Sequence, residues 1–324
     1  MADSNSGKKI RVVVTGASGL LGRAVRRELE ANGNENLCLF LTHSRAPGDN
    51  GRSVDLTVPD TYESVIREFR PDAIIHCAAE RRTDVAEKDR TRTEKLNVES
   101  VSRLASLAQE LPGCFCLFIS TDYVFDGHNP PYRPNSKKNP LNYYGDTKSR
   151  AEEAFWATGH SGGILRVPLL YGLVENKGEC FISHLLDKLI DAHDNKSGPV
   201  PLDNVQIRRP TFVNDIAIVC RLLVKRRMRH CSLSGTWHFS SVDNMTMFDI
   251  GIEICRQAGL PPETVSGEKL FDESKKPANA SLDSTALFLM GLGRHTKFPD
   301  GLKVVLEDIR ENHESLGIEL PACQ

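Results

Sequence analysis

A doubly wound parallel α/β sheet with a smaller α/β C-terminal lobe is the fold the sequence predicts, and three observations predict it. From Lys9 to about residue 167, short β-branched runs alternate with longer amphipathic ones, the order that builds a parallel sheet with helices on both faces. Glycines stand at positions 16, 19 and 22, directly after the first strand-like run. Beyond Pro168 the alternation loosens. The expected division is therefore residues 1–168 for the sheet domain, with returning segments from the C-terminal half, and 169–324 for the smaller lobe.

Taken in order, IRVVVTG predicts the first strand and LLGRAVRRELEANG an amphipathic helix; LCLFLTH, TYESVIREF and AIIHCA repeat the strand, helix, strand pattern. LNVESVSRLASLAQEL (96–111) reads as a helix, CFCLFIS as a buried strand, the segment from Tyr143 to about Thr158 as a helix, and GGILRVP as another strand. In the second half, helices are expected at VNDIAIVCRLLVKRR and MFDIGIEICRQAG and a short strand at GTWHFS, with a Gly/Asn/Lys-containing stretch around 194–201.

Bulk properties exclude several function classes. The 324 residues are 40% hydrophobic and 26% charged, enough to bury a substantial core. Forty-one Lys and Arg against 43 Asp and Glu leave a formal net charge of -2, which offers no broad attraction for nucleic acid or anionic lipid. The opening MADSNSGKK has no apolar run behind its charges, and no later run approaches the roughly 20 residues a membrane span needs, so a cytoplasmic location is expected. The nine cysteines form no CxxC pair and no Cys/His cluster with zinc spacing; no metal is expected, and reduced core thiols account for them.

The chemistry begins at Thr15-Gly16-Ala17-Ser18-Gly19-Leu20-Leu21-Gly22. Three glycines allow a tight turn, a close approach of backbone N–H groups to a diphosphate, and contact between helix and strand, while the helix start contributes its positive dipole end. The pattern predicts a Rossmann-type dinucleotide site rather than a merely structural glycine turn, with Gly16, Ser18, Gly19, Leu20 and Leu21 as its first candidates. The end of the second strand separates the cofactors. In place of the carboxylate that would hold the ribose hydroxyls of NAD, the chain has Thr42-His43-Ser44-Arg45, and Arg45 can pair with the 2′-phosphate of NADP or stand as a solvated surface charge. Asp55 and Leu56 fall where such sheets touch adenine, and Cys77, Ala78 and Ala79 close the third strand with small side chains; both sets serve equally well as core and turn residues.

Tyr144 and Lys148 are four residues apart on an expected helix, so they share a face. The ammonium is expected to lower the phenol's pKa toward the working range and to hold the nicotinamide ribose, leaving Tyr144 to protonate a carbonyl oxygen. Thr121, at the end of the CFCLFIS strand, would orient that oxygen. Tyr143 has the wrong spacing and reads as a packing or pocket-lining neighbour.

Together these residues resemble the extended short-chain dehydrogenase/reductase family, and STDYVFDG, NPPYR, PLNYYGDTK and PANASLD resemble its dTDP-4-dehydrorhamnose reductase branch, from Ile10 to about Leu292. HCAAERRTDVAE (76–87), RRPTFVNDIAIVC (208–220) and GTWHFSS are similar, within that branch, to the family of regulatory β subunits of methionine adenosyltransferase, with Glu80-Arg81-Arg82 as a fairly specific marker. The resemblance implies NADP (NADPH) as cofactor and the catalytic subunit of methionine adenosyltransferase as partner, or, in the reductase branch, a nucleotide-sugar substrate. It adds Asn97 and Pro168 as further cofactor neighbours and Asn279 near a substrate cleft. Two features depart from it. A partner-inserting tail is implied, yet SLGIELPACQ lacks basic and aromatic character, and Gly178 to Gly198 matches either branch poorly.

Overall fold

The computed structural model describes residues 9–43 and 48–321. In chain order its elements are β1 (Ile10–Thr15), α1 (Leu20–Ala31), β2 (Asn36–Thr42), β3 (Gly51–Ser53), α2 (Glu63–Phe69), β4 (Ala73–His76), α3 (Thr83–Lys88), α4 (Arg90–Glu94), α5 (Ser100–Glu110), β5 (Phe115–Thr121), α6 (Tyr143–Ala157), β6 (Gly163–Val167) and β7 (Leu170–Tyr171). There follow α7 (Phe181–Asp194), β8 (Val200–Asp203), β9 (Thr211–Phe212), α8 (Val213–Arg229), β10 (Gly235–His238), α9 (Met247–Ala258), β11 (Val265–Glu268), α10 (Thr285–Leu289), α11 (Phe298–Glu311) and α12 (His313–Leu316).

The chain divides into two compact units. One takes in Met1–Val124, Asn142–Arg166 and Ile216–Trp237; the other takes in Phe125–Leu141, Val167–Asp215 and His238–Gln324. The first unit holds a seven-stranded sheet in the order β10-β6-β5-β4-β1-β2-β3. β1 pairs in parallel with β2 on one side, Val12 opposite Cys38, and with β4 on the other, Thr15 opposite His76. The strand order therefore reverses between β1 and β4, and in a doubly wound sheet the crevice at the carboxyl ends of two such strands is where ligands bind.

Burial explains why these runs are strands. All seven residues of β5 and the Val12-Val13-Val14 core of β1 are buried, as strands covered on both faces must be. α1 turns Leu21, Ala24, Val25 and Leu29 inward, a helical stripe, and Leu29 has no exposed surface. α8 is tied to α1 and the start of β2 by Arg221 to Glu28 at 2.6 Å and Lys225 to Glu35 at 2.7 Å.

The helix expected over 96–111 is longer and irregular. It starts at α4, capped by Asp89, whose side chain accepts the Arg92 N–H, and passes through a π-helical turn at Lys95–Glu99 before α5. A π turn inserts one residue into the ladder and re-aims the side chains within it; Asn97 is one of them. β3 and α3 are additions that the sequence pattern did not signal.

In the second unit the Gly/Asn/Lys stretch expected around 194–201 is a turn and short connection between α7 and β8, and most of Gly178 to Gly198 is the helix α7. α7 begins with Cys180 and Ser183 bonding reciprocally, and β8 pairs in parallel with β11, Val200 opposite Val265. Tyr171 on β7 packs against Phe212 at 5.3 Å and Phe298 at 5.2 Å between ring centroids, and β7 pairs with β9. α11, whose Pro299 sits in the first turn, buries Phe298, Leu302, Val305, Leu306 and Ile309. Among the described residues no helix is long and apolar enough to cross a membrane.

Candidate functional site

The glycine turn after β1 is fixed by close contact at two of its three glycines. Gly16 has φ of 66°, and a Cβ there would sit 2.7 Å from the Ala78 nitrogen. A Cβ at Gly22 would sit 2.0 Å from the Gly16 oxygen, so the helix lies directly on the turn. At Gly19 a Cβ would meet only the Gly16 oxygen, at 3.4 Å, which leaves that face open. Gly19 is also the N-cap of α1; no side chain caps the helix there and no acidic residue stands in its first turn. Its N–H groups and dipole end are thus available for an anion. Ser18 is half-buried, and its carbonyl accepts a 2.7 Å bond from Arg23. Leu20 and Leu21 begin the helix. A glycine-walled, uncapped helix start at the β1/β4 switch point fits the diphosphate of a dinucleotide.

At the end of β4, His76 is buried, with Nδ1 2.6 Å from the Thr15 hydroxyl and its ring stacked on Phe118. Burial pulls its pKa down to about 3, so the ring is neutral. Cys77 follows, its thiol pushed up to about 12 by burial, which makes it an unreactive wall residue. Ala78 and Ala79 complete the small-residue edge, Ala78 against Gly16.

The polar corner is built by β5 and α6. Asn142 caps α6 by accepting the Gly145 N–H, which sets the helix phase that brings Tyr144 to Thr121. The Thr121 hydroxyl donates to Asp122 Oδ1 at 3.1 Å, accepts from the Tyr123 N–H at 3.2 Å, and is near enough to the Tyr144 phenol to favour its ionised form. Lys148 is buried; its ammonium donates to the Ile119 carbonyl at 2.7 Å and lies 4.0 Å from the Phe118 ring centroid. Below it, Glu152 accepts from Arg166 at 2.8 and 2.7 Å and from the Ser120 hydroxyl at 2.6 Å.

The electrostatics differ from the expectation of an ammonium that lowers the phenol. Burial pushes the Tyr144 pKa well up, the neighbouring Asp122 adds to the rise, and Thr121 opposes it. Lys148 itself is pulled down to about 7, because burial disfavours its charge more than Glu152 and Cys77 restore it. Desolvation outweighs the local partners at both groups. Tyr144 in this state is a neutral phenol, the form that donates a proton.

The remaining predicted residues are dispersed. Asp55 accepts from the Thr57 N–H at 2.9 Å and its hydroxyl at 2.7 Å, a turn beyond β3, and Leu56 is buried in the core. Asn97, fully buried, spends its carboxamide on the protein: it accepts from Glu80 N–H at 2.8 Å and donates to the Glu80 carbonyl at 3.0 Å and to Thr147 at 3.2 Å. It pins the Glu80-Arg81-Arg82 segment to α6. Pro168 follows β6, Asn279 accepts from Ser281 within its own turn, and Tyr143 donates toward Glu94 and the Arg90 carbonyl. Arg45, with the last three residues of the tail, lies outside the described residues.

Sequence reasoning missed Asp122 and the buried Glu152–Arg166 pair. Both left signals: Glu152 continues the Tyr144, Lys148 spacing by four more residues, and Arg166 is a lone charge inside the apolar GGILRVP strand, where an unpaired guanidinium would be costly.

With this geometry in place, comparison with known proteins gives a consistent family. The model of the RmlD substrate binding domain matches residues 10–311. Methionine adenosyltransferase 2 subunit beta of Bos taurus is 38% identical over 297 residues, covering 90% of this chain and 86% of the relative. A probable dTDP-4,6-dihydroxy-2-methyloxan-3-one 4-ketoreductase of Streptomyces antibioticus is 28% identical over 93% of this chain and 96% of its own length. Among solved structures, dTDP-4-dehydrorhamnose reductase from Bacillus anthracis in complex with NADP superposes with a TM-score of 0.77 at 27% identity, covering 93% of this chain and all of that one.

Proposed function

The chain belongs to the RmlD substrate-binding-domain family and, within it, to the family of methionine adenosyltransferase 2 subunit beta, and from that premise we propose that it is an NADP-binding regulatory subunit. It docks onto the catalytic subunit of methionine adenosyltransferase in the cytoplasm and modulates S-adenosylmethionine synthesis. The observation that carries this reading is the 38% identity across 90% of the chain to a protein named as a subunit of that enzyme. Gly16, Ser18, Gly19, Leu20 and Leu21 would hold the diphosphate of NADP(H), and the Cys77, Ala78, Ala79 edge would border it. By linkage, whatever factor NADP(H) changes the affinity for the catalytic subunit by, the catalytic subunit changes the affinity for NADP(H) by the same factor. Affinity capture with the catalytic subunit, with and without NADPH, tests it: the two chains co-purify and the rate of S-adenosylmethionine formation changes, whereas no capture under either condition would remove the proposal.

A second reading rests on Tyr144 and the buried Lys148 sharing one face of α6 beside Thr121 at the end of β5. It makes the chain an NADPH-dependent reductase of a 4-keto nucleotide sugar. NADPH, when bound, supplies the hydride. Thr121 would orient the substrate carbonyl, Tyr144 would give its phenolic proton to that oxygen, and Lys148, poised near neutrality, would hold the ribose and restore the proton. On this reading dTDP-4-dehydrorhamnose consumes NADPH and Tyr144→Phe stops turnover while nucleotide binding survives; no consumption with a panel of keto-sugars discards it.

A further inference from the structure

The first unit brings two side chains distant in sequence together at the carboxyl end of β2. His43 is the residue after that strand, and Arg92 sits on α4, where Asp89 fixes its backbone N–H at 3.0 Å. Arg92 Nη2 lies 3.3 Å from His43 Nε2, and both side chains are exposed. For the guanidinium to donate, Nε2 must be the bare imidazole nitrogen, so the pair carries one whole positive charge with nothing negative in it.

That is unusual for this surface. Other arginines of this unit are paired with carboxylates: Arg90 with Glu87, Arg82 with Glu80, Arg103 with Glu63 and Arg150 with Glu94. Among the described residues no carboxylate forms an ion pair with Arg92. Asp55, held in its own turn by Thr57, is near enough to feel both His43 and Arg92 but pairs directly with neither. A guanidinium with no ion-pair partner among the described residues is therefore held at the end of the second strand. When a dinucleotide occupies the β1/β4 switch point, that strand end faces the adenosine ribose, where a carboxylate selects the 2′-hydroxyl and a cation the 2′-phosphate.

We infer that Arg92, supplied by α4 and steered by His43, is a specificity residue that reads the 2′-phosphate of NADP. The inference rests on the dinucleotide site proposed above. A guanidinium suits a phosphate because it presents several N–H donors in one plane, and moving from the imidazole to the phosphate exchanges a neutral acceptor for a charged one. Sequence spacing could not reveal this, since residues 43 and 92 meet only through the fold.

Calorimetric titration of NADPH and NADH into the intact protein and its Arg92→Gln and His43→Gln variants tests the assignment without any turnover. Arg92→Gln weakens NADPH about tenfold, the loss of one charge-assisted bond, and leaves NADH within about twofold of the parent protein. His43→Gln, which can still accept from Arg92, has the smaller effect on NADPH. An unchanged ratio of NADPH to NADH affinity in Arg92→Gln overturns the assignment while leaving the dinucleotide site intact. If the parent protein binds neither nucleotide, the site and the assignment fall together.

Discussion

The glycine turn after β1 and the polar corner made by β5 and α6 are held by different physics. The turn is a matter of backbone contact: Gly16 against Ala78 and Gly22 against Gly16, with no room for a methyl group at either. The corner is a matter of solvation: a phenol, an ammonium and a carboxylate–guanidinium pair are taken out of water and balanced against one another. Steric rules are local and travel with the sequence, so the turn is legible from glycine spacing. Desolvation is imposed by whatever the fold stacks on top, so the corner's residues are legible while their protonation behaviour is not.

That contrast can be broken at the turn first. Gly22→Ala places a methyl group on a carbonyl oxygen, backbone against backbone, and is expected to cost at least about 3 kcal/mol in urea denaturation. Gly19→Ala meets only one atom, at 3.4 Å, and should leave the denaturation midpoint nearly unchanged while abolishing NADPH binding, because the methyl group stands where a diphosphate must approach. Equal stability losses in the two variants would contradict the distinction between a packed and an open glycine.

The corner answers to charge rather than volume. Glu152→Gln removes the negative charge facing the Arg166 guanidinium, only 5% exposed, and is expected to destabilise the protein by about 3 to 5 kcal/mol. Replacing both partners, Glu152→Gln with Arg166→Met, should recover most of that loss. A double variant as unstable as the single one would mean that packing, not charge, is what the pair provides.

A smaller effect is expected at Lys148. Its pKa in the folded protein is about 7, below the ordinary 10.5, so the unfolded chain holds the proton more tightly. Stability contributed by this group therefore rises with pH between about 7 and 10.5 and is lowest below 7. Lys148→Met removes that cost: its melting temperature at pH 6 should equal or exceed the parent's, with the difference shrinking as the pH is raised. A variant that melts lower at pH 6 would show that the bond to the Ile119 carbonyl outweighs desolvation.

The same division explains what else the sequence made readable. β1, β2, β4, β5 and β6 announce themselves as apolar runs, and α1 and α9 as stripes bounded by Gly19 and by Thr246 and Gly259. The π-helical turn at Lys95–Glu99 is invisible in periodicity, because it exists to let Asn97 reach Glu80. α7 and α11 were missed although both are strongly amphipathic: the second unit assembles around Tyr171, Phe212 and Phe298, residues far apart in sequence whose joint burial no window captures. Asp122 and Glu152 belong to the same class, polar groups whose meaning depends on neighbours supplied by other elements.

The account depends most on the uncapped start of α1 as a receptor for a nicotinamide dinucleotide. Isothermal titration of NADPH into the folded parent protein measures this directly. A single saturable site per chain that disappears in Gly19→Ala is the result the account predicts; no binding heat from either NADPH or NADH, in protein shown to be folded by its denaturation curve, would contradict it.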